Sequence, residues 1–368
     1  MNPHILPDTR PYPADPVKNE LLLYANQIAE GRGGAQSKLA QESLRAAIYG
    51  MFKQNHYLGL SVAMSMAPSA AAYRALLDNL DNVLQAKTDE EVQWFALPVI
   101  LVAGGGRDIN LKTDAPVIEL AACLANYPHT RALAHAAWLP QLVSSSRLSA
   151  VNAGQWFAAK QSAQAAAGFA ATFAADDLPI PSGQSVHVAF ALGYGDRSVQ
   201  SVLGTNLRNA ALPLMQVWQE NLTVPNLTLF ANPLPPAAPL LALAEGSHMR
   251  LRMALDVFAA NAIRAVRLQS PRVGVVMAAQ AGGRLLFGFG ATDQSFGLQN
   301  QVFSWPLSPA EHIETVQQDF LDLMVECQVE HIRLLHNPLP ENGELPDYGQ
   351  ALKLAGHNPL FADPARAS

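Results

Sequence analysis

The stretch VILVAGGGRDI, residues 99–109, constrains the chain most. A short run of branched apolar residues has the length of a strand, and it ends in three glycines, an arginine and an aspartate. A chain that carries such a run has a sheet to bury. The functional question is whether the glycines open a phosphate-cradling loop or simply end a strand.

A dinucleotide fingerprint requires glycines at the first, third and sixth positions, after a strand and before a helix. Counted from Gly104, the sixth position is Ile109. No acidic residue closes a second strand about 20 residues on, because Glu119 falls inside a predicted helix. A P-loop requires Gly-Lys-Ser/Thr, which the sequence lacks. A weaker reading remains, in which glycine amides at a strand end approach an anion and Arg107 pairs a phosphate or carboxylate. A tight structural turn competes with it. The shape recurs: an apolar run ends in Gly-x-Gly with an aspartate close behind at Gly104–Gly106–Asp108, at Gly193–Gly195–Asp196 and at Gly288–Gly290–Asp293. The intervals are nearly equal, but the flanking residues do not align into a full repeat.

Around these turns the chain reads as helices and strands in blocks. Asp15-Pro16 caps a first helix whose Leu21, Tyr24, Ala25 and Ile28 share a face, and Gly31 stops it. A second helix from about Ser37 buries Ala40, Leu44, Ile48, Met51 and Phe52. Residues 56–68 fit a strand or a helix end. Ser69 opens a third helix with Tyr73, Leu76, Leu77, Leu80, Val83 and Leu84 on its core side. Thr88–Glu91 has the form of a capping box, so Pro98 is expected to end a short helix and leave 99–103 as the strand. Residues 113–126 are predicted helical, and 147–175 as a long Ala-rich helical zone. Strands are expected at 185–193 and 226–233, followed by a rigid proline-rich connection at 233–241. A helix from Ser247, a hairpin over 272–292 turning at Gly282-Gly283, a strand at QVFSWPL, a helix opened by the Ser308–Glu311 box and a strand at VEHIRLL complete the pattern.

The expected fold is α/β or α+β: a helical N-terminal region, residues 1–90, followed by a mixed sheet with flanking helices. The sheet divides into an α/β region, 91–235, and an α+β region, 236–340, with its hairpin and the helix 309–327. An extended tail occupies 341–368.

Composition narrows the function classes. Only 15% of residues are charged and 49% are hydrophobic, with a formal net charge of −6. No cluster of five to eight basic residues appears, which argues against nucleic acid as a partner. The basic stretch at Arg250 and Arg252, with Arg264, Arg267 and Arg272 further on, reads first as a solvated helix face and second as a surface for an acidic partner. The two cysteines, Cys123 and Cys327, form no CxxC and read as reduced thiols. The opening residues lack a secretory pattern and no run reaches the roughly 18 residues of a membrane span, so a cytoplasmic, alanine-rich bacterial chain is expected.

Gly59-Leu-Ser61-Val-Ala63 is a degraded nucleophile elbow with alanine in place of its second glycine, and no His-Gly oxyanion motif precedes it. Cys327, Glu330, His331 and His336 crowd one segment, and His129 and His135 are six residues apart, but neither group makes a zinc set. Asp176-Asp177 and Glu90-Glu91 are explained as caps or solvated loops. The five tryptophans are dispersed as core or interface anchors.

The expected function is therefore a non-enzymatic subunit or adaptor of a larger bacterial protein assembly, bound to a protein partner or to a second copy. Neither cofactor nor metal is expected. The alternative is an enzyme or small-molecule binder whose anion site is built at the strand-end turns from Gly104, Gly106, Arg107, Asp108, Gly193, Gly195, Asp196, Arg197 and Asp293.

Overall fold

The computed structural model describes residues 16–335, apart from 32–33, 106, 112–116, 174–177, 181–182, 184, 223–224, 230–233, 281–283, 292–300 and 330. The chain is an α+β protein whose contacts divide it into two compact units, Met1–Ser247 and His248–Ser368. The Asp15 cap, the Gly282-Gly283 turn and the tail from 341 lie outside the described residues.

The first unit opens with four helices: α1 (Pro16–Glu30), α2 (Ala35–Lys53), α3 (Tyr57–Ser65) and α4 (Ala70–Leu84). Their apolar stripes follow the helical period. Leu21 and Ala25 of α1, Leu44 and Ile48 of α2 and Leu76 of α4 are completely buried. Ser69 caps α4 by accepting from the Ala72 amide at 3.1 Å. The ambiguous stretch 56–68 resolves as α3.

Next come β1 (Gln93–Ala103), β2 (Ile109–Leu111), α5 (Val117–Ala125), α6 (Arg131–Ala134), β3 (Ala137–Ser144), α7 (Ser145–Ala150), α8 (Ala153–Ala159), α9 (Ala163–Ala170), β4 (Leu178–Ile180) and β5 (Ser185–Gly195). After two short 3₁₀ segments, Arg197–Val202 and Arg208–Ala210, follow α10 (Ala211–Leu222), β6 (Leu227–Leu229) and α11 (Pro239–Arg267). The order β3-β5-β1-β6 makes an antiparallel sheet, and β2 and β4 pair separately.

Pro98 does not end a helix; it sits inside β1. The Ala96 amide points away from β5, donating to Ala237 O at 2.8 Å, so the missing donor of Pro98 faces the same side. There β6 reaches only Leu101–Ala103, and no ladder bond is lost. The Ala-rich zone 147–175 is not one helix, because caps at Ser144, Asn152 and Ser162 restart it as α7, α8 and α9. Asn152 forms a full capping box with Gln155.

In the second unit β7 (Val273–Gln280) and β8 (Arg284–Ala291) form the expected hairpin, and β9 (Gln301–Pro306), α12 (Ile313–Glu326) and β10 (His331–Leu335) follow. The order β10-β7-β8-β9 is a mixed sheet, with β10 parallel to β7. Its core joins Leu255, Ala259 and Ile263 of α11 to Phe287, Phe289 and Phe320. α11 begins at Pro239 rather than Ser247, since proline fits the first helical turn, where its amide has no partner to lose. α12 begins at Ile313, after a separate turn in which Glu311 accepts from the Ser308 amide at 2.7 Å. No described helix is long and apolar enough to cross a membrane.

Candidate functional site

The strand-end turns are placed by the register of β1 and β5. Gln93 faces Gly195 and Ala103 faces Ser185, so the Gly104 turn and the Gly193–Asp196 turn leave opposite ends of one antiparallel pair. An eleven-residue strand at about 3.3 Å per residue separates them by roughly 33 Å. The structure does not bring these two together. Gly104 donates its amide to Asn226 O at 2.8 Å, while Gly105 takes a positive φ of 153° and accepts from the Gly183 amide. Arg107 and Asp108 are exposed, and Gly106 lies outside the described residues.

Gly193 has a packing role inside β5: a Cβ there would stand 2.6 Å from the Phe95 ring facing it. The side chain of Asp196 accepts from the Ser198 amide and hydroxyl, capping the 3₁₀ turn that starts at exposed Arg197. These bonds hold its carboxyl below the usual range. Gly288 and Gly290 are interior to β8, and Asp293 lies outside the described residues.

A different constellation forms where α4 meets the start of α11. The periodicity that places Leu77, Leu80 and Leu84 in the core also places Asp81 there, one turn after Leu77. Asp81 is 4% exposed, and neither carboxylate oxygen has a donor in hydrogen-bonding geometry. Burial, then the like charges of Asp78 and Glu245, push its carboxyl up to about 8; the nearby Leu241 amide pulls weakly the other way. Burial also raises Asp78, against the pull of Arg74, and raises Glu245, with help from Asp78.

Asp78, Asp81 and Glu245 are among the residues lining a cavity of about 440 Å³ within the first unit. Asp81 is its most buried carboxyl, Glu245 is half-buried and Asp78 stands at the solvent side. Gln41 and Arg45 of α2, Asn79 and Asn82 of α4, and Gln85 add polar groups. Ala75, Leu203, Ala238 and Leu241 add apolar surface. Arg45 donates from Nε to Asn79 Oδ1 at 2.9 Å, and Asn79 donates to Ala75 O at 2.7 Å. The signal that would have found this site in the sequence is an aspartate on an otherwise apolar helical stripe.

The second unit carries a buried carboxylate of the opposite kind. Glu311 accepts from the Ser308 amide at 2.7 Å and from Trp305 Nε1 at 3.4 Å, and it bonds His248 Nδ1. His248 Nε2 lies 3.9 Å from Asp319, which also pairs with Arg252 at 3.7 Å. Burial would raise the Glu311 carboxyl, but these bonds together hold it below the usual range. In the first unit Glu91 is held low in the same way, by the Lys87 amide and by Lys160, whose 1%-exposed side chain lies 3.2 Å away. The helical spacing that would bring Cys327 and His331 together is not formed, because Cys327 closes α12 and His331 belongs to β10. Glu330 and His336 lie outside the described residues, and among the described residues no group of three His, Cys, Asp or Glu is placed to hold a metal ion.

A last feature concerns the outer faces of the first helices. Leu23 of α1, Leu39 of α2, Leu58 of α3 and the following Met66 are all more than half exposed, Leu58 at 74%. No protein-family model, curated protein or solved structure matches the chain.

Proposed function

We propose that this chain is a non-enzymatic subunit of a larger bacterial protein assembly in the cytoplasm, docking another protein through the outer faces of α1, α2 and α3. The observation that carries the reading is the contrast within those helices. Leu21, Leu44 and Ile48 are wholly buried, whereas Leu23, Leu39 and Leu58 on the same three-helix layer stand in water. One exposed leucine is ordinary in a folded chain. Large apolar side chains on three consecutive helices, in a chain with only 15% charged residues, have the composition of a surface that a partner covers.

The test compares the full chain with a Leu39→Glu/Leu58→Glu variant by light scattering after size exclusion and by capture from a bacterial lysate. The wild type is expected to retain a defined partner, and the variant to lose it while keeping its helical signal and melting temperature. If both run as the same isolated monomer and capture the same proteins, the reading fails. A second reading, the binding of a small molecule, is favoured by the carboxylate-lined cavity.

A further inference from the structure

We propose that the cavity lined by Asp78, Asp81 and Glu245 is a binding site for a small organic diamine. This inference is independent of the docking surface, since it concerns different side chains of the first unit. Its starting point is the chemistry that Asp81 lacks. Buried carboxyl groups in folded proteins are nearly always hydrogen-bonded. Asp81 is among the residues lining a cavity, both its oxygens are out of water, and neither has a donor in hydrogen-bonding geometry, the neighbouring Leu241 amide included. A donor brought by a ligand completes it. An ammonium supplies three N–H donors and the opposite charge.

Charge and shape define the ligand further. The titratable groups lining the cavity are three carboxyls and one guanidinium, so the site favours a cation. Arg45 is held through its Nε by Asn79. The carboxyls stand at graded depths, with Asp81 buried and Asp78 exposed, which suits two ammonium groups on one chain better than a single charge. Ala75, Leu203, Ala238 and Leu241 offer apolar surface to the methylenes between them. A bare metal ion fits poorly, because the space is about 440 Å³ and no described trio of ligands is placed to chelate.

Binding is coupled to a proton. Near neutral pH Asp81 carries its proton, held there by burial and by Asp78 and Glu245. The groups around it are Arg45 on α2, Asp78 on α4 with Arg74 beside it, and Glu245 on α11. The lining residues from α1 and from 203–204 are Ile28, Leu203 and Gly204, which do not titrate. When an ammonium arrives, the Asp81 O–H breaks, the proton leaves to solvent and the carboxylate pairs with the cation.

The experiment is calorimetric titration of the full chain with 1,4-diaminobutane at pH 7, in two buffers of different ionisation enthalpy. The expected result is saturable binding with release of close to one proton, weakened by about tenfold or more in Asp81→Asn and in Glu245→Gln. Asp81→Asn is uncharged like the protonated acid and similar in size, so it tests binding rather than folding; Glu245→Gln is an independent second variant. Magnesium chloride is expected neither to bind nor to compete. The proposal is overturned if roughly 10 mM diaminobutane gives no heat and no thermal shift. Equal binding by both variants, or displacement of the diamine by magnesium, overturns it as well.

Discussion

Asp81 in the first unit and Glu311 in the second are carboxyl groups withdrawn from water, and they titrate in opposite directions. Burial raises both. Glu311 recovers the lost hydration from a backbone amide, an indole N–H and His248, and its carboxyl falls below the usual range. Asp81 meets two like charges and no well-placed donor, and rises to about 8. Burial alone therefore does not decide the state of a carboxyl; the count of donors aimed at the charged form does. A satisfied group fastens structure, and an unsatisfied one beside a cavity is open to a ligand.

The comparison can be broken most sharply through a pH dependence of opposite sign at the two groups. Asp81 has a folded value above its unfolded one. Below about pH 4 it is protonated in both states and has no effect. As pH rises from about 4 to 8 the unfolded chain releases a proton that the folded chain keeps, so stability falls, and above 8 the loss is complete. Glu311 has a depressed folded value, so its contribution is present above the unfolded carboxyl range and disappears as pH falls through and below it. Asp81→Asn is expected to raise stability by about 5 kcal/mol at pH 9, about 1.4 kcal/mol for each pH unit between 4 and 8, and by almost nothing at pH 4, read from unfolding midpoints across the range. A variant that tracks the wild type at every pH would remove the distinction between the two sites.

The next effect is at Glu311. Glu311→Ala leaves the Ser308 amide, the Trp305 indole and His248 without their acceptor and is expected to destabilise the chain by about 3 kcal/mol in denaturant unfolding at pH 7. A loss below about 0.5 kcal/mol would show that these bonds add little to the folded state.

The smallest effect separates a carboxylate that caps from one that awaits a ligand. Asp196→Ala is expected to cost about 1 kcal/mol by removing the acceptor of the Ser198 amide. It should leave diaminobutane binding untouched, as measured by unfolding and titration of the same preparation.

The helical part of this fold is legible in the sequence wherever one rule dominates. Ser69 caps α4 as its residue type predicts, and the stripe of Leu76, Leu77, Leu80 and Leu84 is buried. The hairpin of β7 and β8 follows from two apolar runs around a glycine pair. Legibility fails where two rules compete. Pro98 argues against a strand interior, yet β1 accepts it because only the unpaired side lacks the donor. β3 goes unseen because Ala137–Ser144 lacks a clear alternation and is held by its pairing with β5. The candidate anion residues share a local pattern, but pattern does not encode distance. Antiparallel pairing sends two of the turns to opposite ends of the same strands.

The chain by itself determines which segments are amphipathic helices, where their caps fall and which apolar runs become strands, because these depend on neighbours within a few residues. Only the tertiary structure decides that Gly193 yields space to Phe95, that Gly104 spends its amide on Asn226, and that Asp78, Asp81 and Glu245 share one cavity. The last two of those carboxyls lie far apart in sequence. The push of Glu245 on Asp81 and their shared loss of water arise when α4 and α11 fold against a common space, which no local pattern records.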